Sequence, residues 1–370
     1  MRILFYAPFK PLEHRNPSGD RAIARSLHGF LTGLGHRVLP VSSLRVRWIY
    51  WRPWRWPAVL AAMLRALSAI RRERPHLWFT YHTYYKAPDL LGPLACRLRN
   101  VPYVIFQGIY STKRRKKLRT LPGFHLNRLA LLSARHVFTN KRTDLKNLLR
   151  LLPKERVTYV PPGIFPGRFP FDGEAGRALR VRWGAEGLPV VVTAAMFRPG
   201  VKSEGLSWVI RSCGRLAERG LDFRLVILGD GKEGEALRSL ADRHLKGRAI
   251  FAGRIPREEM YRYYSAGDLF AFPGIRESLG MVYLEAQCCG LPVVAFENRG
   301  VPEVVRNRET GFLTPPFDAQ AFDAAMERLI VGVDLRRRMG EAASRHVREH
   351  HDLDRNYRRM AEKLEAIVDG

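Results

Sequence analysis

Residues 270–302 read FAFPGIRESLGMVYLEAQCCGLPVVAFENRGVP, and the punctuation of this stretch decides the fold. Leu269 to Phe272, closed by Pro273-Gly274, suits a buried parallel strand. From Gly280 to Cys289 the apolar residues recur at helical spacing, with Met281, Leu284 and Cys288 on one face. Gly290 sits where a helix C-terminus favours a residue tolerant of positive φ, Pro292 prevents continuation, and Val293 to Phe296 restarts a buried strand. The result is a strand-turn-helix-strand unit of a parallel α/β protein. Glu277 falls in the turn and Glu285 in the second turn of the helix. Helical side chains lean toward the N-terminus, so both carboxylates can address a ligand seated there. The unpaired first-turn N–H groups favour an anion such as a diphosphate, and a carboxylate beside that anion finds its partners in sugar or ribose hydroxyls. Two glutamates eight apart are by themselves solvated surface charges; the surrounding glycines and prolines are what make them a site.

The run ESLGMVYLEA from Glu277 to Ala286, followed by GLPVV from Gly290, resembles the E-x7-E signature of retaining GT-B glycosyltransferases of family 4, the glycosyl transferases group 1. The resemblance rests on Gly280, Ala286, Gly290 and Pro292 as well as on the glutamates. It implies an α/β GT-B architecture, two Rossmann-like domains with parallel sheets facing across a cleft. It also implies that Glu277 contacts the donor sugar, that the backbone of Ser278, Leu279 and Gly280 binds diphosphate, and that Glu285 holds the nucleotide ribose.

A chain of 370 residues is long for one α/β domain, which agrees with two. The Pro- and Gly-rich residues 160–174 mark the boundary, giving an N-terminal acceptor-binding domain over 1–165 and a donor-binding domain over 175–350. The amphipathic segment 352–370 is expected to pack back on the first domain, as the final helix of such proteins commonly does. Four cysteines form neither a disulfide framework nor a C-x2-C pattern, so a reducing cytoplasm fits. The opening MRILFYAPFK reads as a strand, and no segment has the roughly 20 apolar residues needed to span a bilayer.

Of the net charge of +28, residues 1–170 carry 32 Lys and Arg against 6 Asp and Glu, whereas residues 171–370 carry 31 against 29. That asymmetry points to an anionic partner for the first half, an acidic membrane surface, a phosphorylated glycan or nucleic acid; an anionic glycan or lipid acceptor is the partner taken, with no nucleic acid expected. Trp48 to Pro57 interleaves four tryptophans with Arg52 and Arg55, a composition suited to a bilayer headgroup zone. The helix after it, about 58–72, places Leu60, Met63, Leu64, Leu67 and Ile70 on one broad face expected to pack on the core. The cluster Lys113 to Lys117, with Arg119, adds attraction to an anionic leaflet.

Further site residues follow from the resemblance. A Gly-rich turn after the first strand approaches the donor phosphates, and here it is reduced to Ser18-Gly19. Relatives carry a histidine near the reacting sugar where this chain has Gln107, which can hydrogen-bond a hydroxyl but cannot act as a general base. Two cations neutralise the leaving diphosphate: Lys202 fits one, Met196 stands at the usual arginine position, and Arg198 is taken as its replacement. The strand 188–197 is expected to lead to these cations and to a helix over 206–219. Backbone near Arg254 is expected against the nucleotide base, and His82, at a strand end, near the acceptor.

Asp352-Leu-Asp354 is formally D-x-D but sits at a helix start where Asp caps, and His346 and His350 lack the glutamate of H-E-x-x-H. No catalytic metal and no cofactor beyond a nucleotide-diphosphate sugar substrate is expected. The reading is a retaining, metal-independent glycosyltransferase for a glycan or lipid-linked acceptor in cell-envelope polysaccharide or lipopolysaccharide synthesis, cytoplasmic and peripheral on the inner membrane face. The alternatives are a GT-B sugar-nucleotide epimerase and a nucleic-acid-binding protein. The lack of G-x-G-x-x-G after the first strand speaks against a dinucleotide oxidoreductase.

Overall fold

The computed structural model describes residues 1–13 and 19–369. By its internal packing the chain divides into two compact units, one of Met1–Pro161 with Asp354–Gly370 and one of Pro162–Leu353. In the first unit the elements run β1 (Arg2–Tyr6), α1 (Gly19–Gly33), β2 (Arg37–Ser42), α2 (Trp56–Glu73), β3 (Leu77–Thr83), α3 (Gly92–Arg99), β4 (Tyr103–Gly108), α4 (Leu121–Ser133), β5 (His136–Thr139), α5 (Arg142–Leu148) and β6 (Val157–Tyr159). The second unit follows with α6 (Gly173–Arg182), β7 (Val190–Ala194), α7 (Val201–Glu218), β8 (Arg224–Leu228), α8 (Gly234–Leu245), β9 (Ala249–Gly253), α9 (Met260–Ser265), β10 (Leu269–Ala271), α10 (Met281–Cys288), β11 (Val293–Phe296), β12 (Gly311–Thr314), α11 (Ala319–Val331) and α12 (Val333–His350). Helix α13 (Leu353–Asp369) closes the chain and lies, but for its first residue, in the first unit.

Each unit is built on a six-stranded sheet, ordered β2-β1-β3-β4-β5-β6 in the first and β12-β11-β10-β7-β8-β9 in the second. All pairings within them are parallel. Parallel strands covered on both faces read as continuous apolar runs, and β3, β4, β7 and β11 are buried along their whole length. Each sheet changes direction once. In the first unit the order reverses between β1 and β3, and in the second between β7 and β10. Because strand-helix-strand crossovers are right-handed, α1 lies on one face of the first sheet and α2 to α5 on the other. Helix α13 joins α1, with Tyr357 edge-on to Phe30 and to Phe106 of β4.

Three sequence expectations need correction. The helix after β7 begins at Val201, five residues before its expected start, so Lys202 stands in its first turn rather than in a loop. The reason is Gly200, whose positive φ turns the chain straight into the helix. Helix α10 does not have one apolar face: Tyr283 to Cys288 are all buried, including Glu285 and Gln287. Helix α2 is divided, burying Met63 and Ile70 but leaving Leu60 and Leu64 exposed, because Val59, Ala62, Met63, Ala66 and Ile70 already fill the side facing the sheet. The four cysteines are free thiols, all buried. Among the described residues no helix is long and apolar enough to cross a membrane.

Candidate functional site

Open parallel sheets bind ligands beyond the carboxyl ends of their strands where the strand order reverses. In the second unit that point lies between the start of α7, which carries Lys202, and the loop after β10, which carries Glu277. The Lys202 ammonium pairs with Glu277 Oε2. Two packing features bring them together. Gly205 sits against the Phe272 ring so closely that a Cβ would collide with it, which draws α7 onto the end of β10. Lys202, one turn earlier, lies with its ammonium 5.2 Å from the centre of the same ring.

The turn between β10 and α10 is shaped by backbone that tolerates no Cβ. Gly280, at the helix N-cap, has φ of +65° and faces the Tyr283 ring, while Gly300 abuts the Ser278 carbonyl. Tyr283 anchors the turn by donating to the Phe272 carbonyl at 2.9 Å. Ser278, Leu279 and Gly280 thus lead directly into the N-terminus of α10, where first-turn backbone N–H groups can donate to an anion. The Ser278 N–H donates to Glu277 Oε1 at 3.2 Å.

Glu285 has different company from Glu277. It is buried, its Oε1 accepts from Arg257 at 2.8 Å, and the Tyr264 hydroxyl lies 3.5 Å from its Oε2. Burial pushes its carboxyl above the ordinary range, and the Arg257 guanidinium and Tyr264 hydroxyl oppose that shift. Arg257 and Tyr264 escaped sequence reasoning. Arg257 stands three residues after Arg254 at the mouth of the same loop, but nothing in spacing alone says which carboxylate a surface arginine finds. Arg254 follows β9 and is exposed. Arg198 is also exposed, its carbonyl accepting from Ser203 at 2.8 Å, and Met196 is exposed beside it.

In the first unit Gln107 and His82 lie across from each other on β4 and β3, between the paired positions Tyr81 with Phe106 and Thr83 with Gly108. Both residues belong to the strands themselves, at their carboxyl ends. Both are buried and both have left-handed backbone, φ of +61° for His82 and +62° for Gln107. The His82 ring stacks on Tyr84 with centroids 5.0 Å apart. The Gln107 Oε1 has no hydrogen-bond partner among the described residues. Gly19 is the first residue of α1, while Pro17 and Ser18 of the expected glycine turn lie outside the described residues. The buried His346 and His351 rings face each other with Nε2 atoms 3.2 Å apart, and His351 Nδ1 lies 2.6 Å from the Pro162 carbonyl oxygen. Among the described residues no three His, Cys, Asp or Glu side chains converge on a common point.

Residues 184–346 match the family described as glycosyl transferases group 1. The GDP-mannose-dependent alpha-(1-6)-phosphatidylinositol monomannoside mannosyltransferase of Mycolicibacterium smegmatis is 32% identical over 227 residues, 59% of this chain and 57% of that protein. The chain therefore spans a little over half the length of that relative. The D-inositol 3-phosphate glycosyltransferase of Acidothermus cellulolyticus is 29% identical over 80% of this chain and 68% of its own length. Among solved structures, Anabaena HepE in complex with UDP superposes with a TM-score of 0.77 at 18% identity, covering 99% of this chain and 100% of that one. The sucrose-phosphate synthase of Thermosynechococcus elongatus gives 0.72 at 18% identity, over 100% and 99%. At such identities these two likenesses establish the GT-B fold.

Proposed function

We propose that this chain, whose residues 184–346 belong to the glycosyl transferases group 1, transfers a sugar from a nucleotide-diphosphate sugar to a glycan or lipid-linked acceptor with retention at the anomeric carbon. The observation that carries the reading is the pairing of Lys202, in the first turn of α7, with Glu277, in the loop after β10, at the strand-order reversal of the second unit. A diphosphate entering there meets a cation at the start of α7 and the N-terminus of α10, while Glu277 is freed to accept from sugar hydroxyls. Arg198 joins Lys202 in stabilising the departing phosphate. The backbone of Ser278, Leu279 and Gly280 holds the diphosphate, Glu285 faces the ribose, and backbone at Arg254 lies against the base. Gly19 and Gln107 of the first unit keep the roles that the resemblance gives them, Gln107 hydrogen-bonding a hydroxyl without removing its proton.

No attacking side chain has a role, so the acceptor hydroxyl attacks on the face that the diphosphate leaves, and no metal or cofactor is required. A basic first unit suits an anionic glycan or lipid acceptor. It also suits an enzyme peripheral on the inner membrane face, in the cytoplasm, serving envelope polysaccharide or lipopolysaccharide synthesis. The relatives' printed substrates, GDP-mannose, a phosphatidylinositol mannoside and an inositol phosphate, belong to the same chemical classes. The test is donor turnover against UDP-, GDP- and ADP-sugars with and without chelator, Glu277→Ala as control, and the anomeric configuration of the product. Turnover of one donor with retention, indifferent to chelator, is expected. An inverted product would sink the same-face mechanism. Donor isomerised without any acceptor would replace transfer by epimerisation.

A further inference from the structure

The first unit distributes its charge unevenly between the two faces of its sheet. No Asp or Glu occurs between residues 21 and 72, nor between 90 and 143, the spans that supply α3, α4, all of α2 but Glu73, and most of α1 on the opposite face. Of the acids bordering these spans, Asp144 of α5 is buried and Glu73 and Asp89 are engaged. Glu73 accepts from Arg37 at 2.9 Å and Arg72 at 2.8 Å. Asp89 is buried and accepts from Thr80, Tyr103 and the N–H groups of Leu91 and Gly92 at 2.6–2.9 Å. The opposite face differs, since α13 there carries Asp354, Glu362, Glu365 and Asp369.

The acid-free face is also the one that leaves large apolar side chains in water. Trp56, Leu60 and Leu64 recur every fourth residue and make an exposed stripe along α2. The neighbouring α3 exposes Leu94 and Leu98, and α4, packed against α3, exposes Leu129 and Leu132. At the start of α2, Trp51 and Trp54 stand out, Trp54 with 73% of its surface exposed. The basic loop is fastened to this spot. Trp51 Nε1 donates to the Arg119 carbonyl at 2.9 Å, the Arg119 guanidinium lies 5.3 Å from the Trp48 ring centre, and Arg114 lies 4.5 Å from that of Tyr85. Trp48, Trp51, Arg52, Trp54 and Arg119 line a depression of about 350 Å³. Beside it Leu118, between Lys117 and Arg119, is 84% exposed.

Exposed leucines and tryptophans interleaved with arginines, without a free carboxylate, match one partner: an anionic phospholipid bilayer. Apolar side chains enter its acyl boundary, indoles lie at headgroup depth, and the cations meet lipid phosphate. Nucleic acid would meet the cations but give the leucine stripe nothing to bury. We propose that the α2–α3–α4 face, led by the Trp51–Trp54 corner and the Lys113–Arg119 loop, is the surface by which the protein docks on an anionic membrane. It rests on the membrane part of the function proposed above, not on the transfer chemistry.

Flotation of the full chain with phosphatidylcholine vesicles, with or without equimolar phosphatidylglycerol, tests this without donor or acceptor. Binding to the anionic vesicles alone is expected, with quenching of tryptophan emission by bromine-labelled acyl chains. Trp54→Ser combined with Leu60→Ser should weaken it about tenfold, and Lys116→Glu with Lys117→Glu by a similar factor. All four side chains are exposed, so both variants should bind nucleotide as the parent does. No vesicle binding, or binding unaffected by the Trp54 and Leu60 changes, overturns the proposal. Double-stranded DNA displacing the protein from vesicles, with an affinity that those two changes leave intact, overturns it in favour of nucleic acid. Vesicle binding without sugar turnover would keep this surface and discard the transfer reading, and the converse would do the opposite.

Discussion

The two sheets are alike in size and strand direction, yet they finish their strands differently. In the second unit the carboxyl ends turn mainly on glycine: Gly229, Gly231, Gly253, Gly274 and Gly280 have positive φ, with Arg276 and Arg299 beside them. In the first unit the corresponding left-handed positions are occupied by His82 and Gln107, while the positive-φ glycine among its described residues, Gly35, precedes β2 at the amino end. Glycine there lets backbone approach a ligand and presents N–H groups, which suits a diphosphate that is recognised by charge and shape. A side chain held in a strained backbone instead presents one chosen functional group at a fixed place, which suits a ligand that must be told apart from others. Under the proposed function, the second unit holds a common handle and the first discriminates.

That contrast breaks most sharply at Lys202 and Glu277. Replacing either by Ala should lower kcat/KM for sugar transfer about 10²–10³-fold, read in a steady-state donor assay. A loss below tenfold would mean that the strand-order reversal is not where the chemistry occurs. Gly280→Ala comes next. A Cβ at a left-handed position and against Tyr283 should cost about 1–3 kcal/mol in denaturant unfolding and weaken nucleotide binding. Gln107→Gly makes the opposite change. It removes a Cβ from left-handed backbone, should shift stability by less than about 1 kcal/mol, and should lower transfer while leaving nucleotide affinity intact.

How far these differences could be read beforehand depends on the kind of residue involved. The β10–α10–β11 unit was legible because Gly280, Gly290 and Pro292 have local conformational demands that spacing exposes. The start of α7 was missed because Gly200 acts there through φ, while Lys202 and Ser203 have no strong helix signal of their own. The outward leucines of α2 were missed for a different reason. Helical periodicity marks apolar residues without telling which of two adjoining stripes meets the sheet, and here the stripe with alanines packs while Leu60 and Leu64 face out. Arg257 on Glu285 depends on contact between α9 and α10, which no local pattern encodes.

Smaller effects sharpen the comparison within each unit. Arg257→Ala should cost about 1–2 kcal/mol and push the Glu285 carboxyl further up, since a buried carboxylate then loses its cation. Chemical shifts of a labelled Glu285 would report it. Each unit also holds a buried histidine whose pKa is lowered. Burial lowers His136 to about 4 in the first and His346 to about 3 in the second. Below the ordinary value near 6.5 the unfolded chain takes up protons that the native one refuses, so stability present above that pH is lost as it falls toward about 4. Between pH 6.5 and 5 the parent should lose about 1 kcal/mol more than His136→Gln, a change that preserves a hydrogen bond to Thr158.

The second unit begins and ends at one spot. Ile164 N–H donates to the His351 carbonyl at 2.9 Å, and Leu353 N–H donates back to Ile164 at 2.7 Å. Everything between is an excursion from the first unit, which resumes only with α13 and its buried Tyr357, Met360 and Leu364. During synthesis this reverses the usual order. The amino-terminal sheet leaves the ribosome first but waits, with the α1 side of its core uncovered, until the whole second unit has been made. The part of the chain translated first is the last to be finished, and the second unit, closed by its own ends, is free to fold in the meantime.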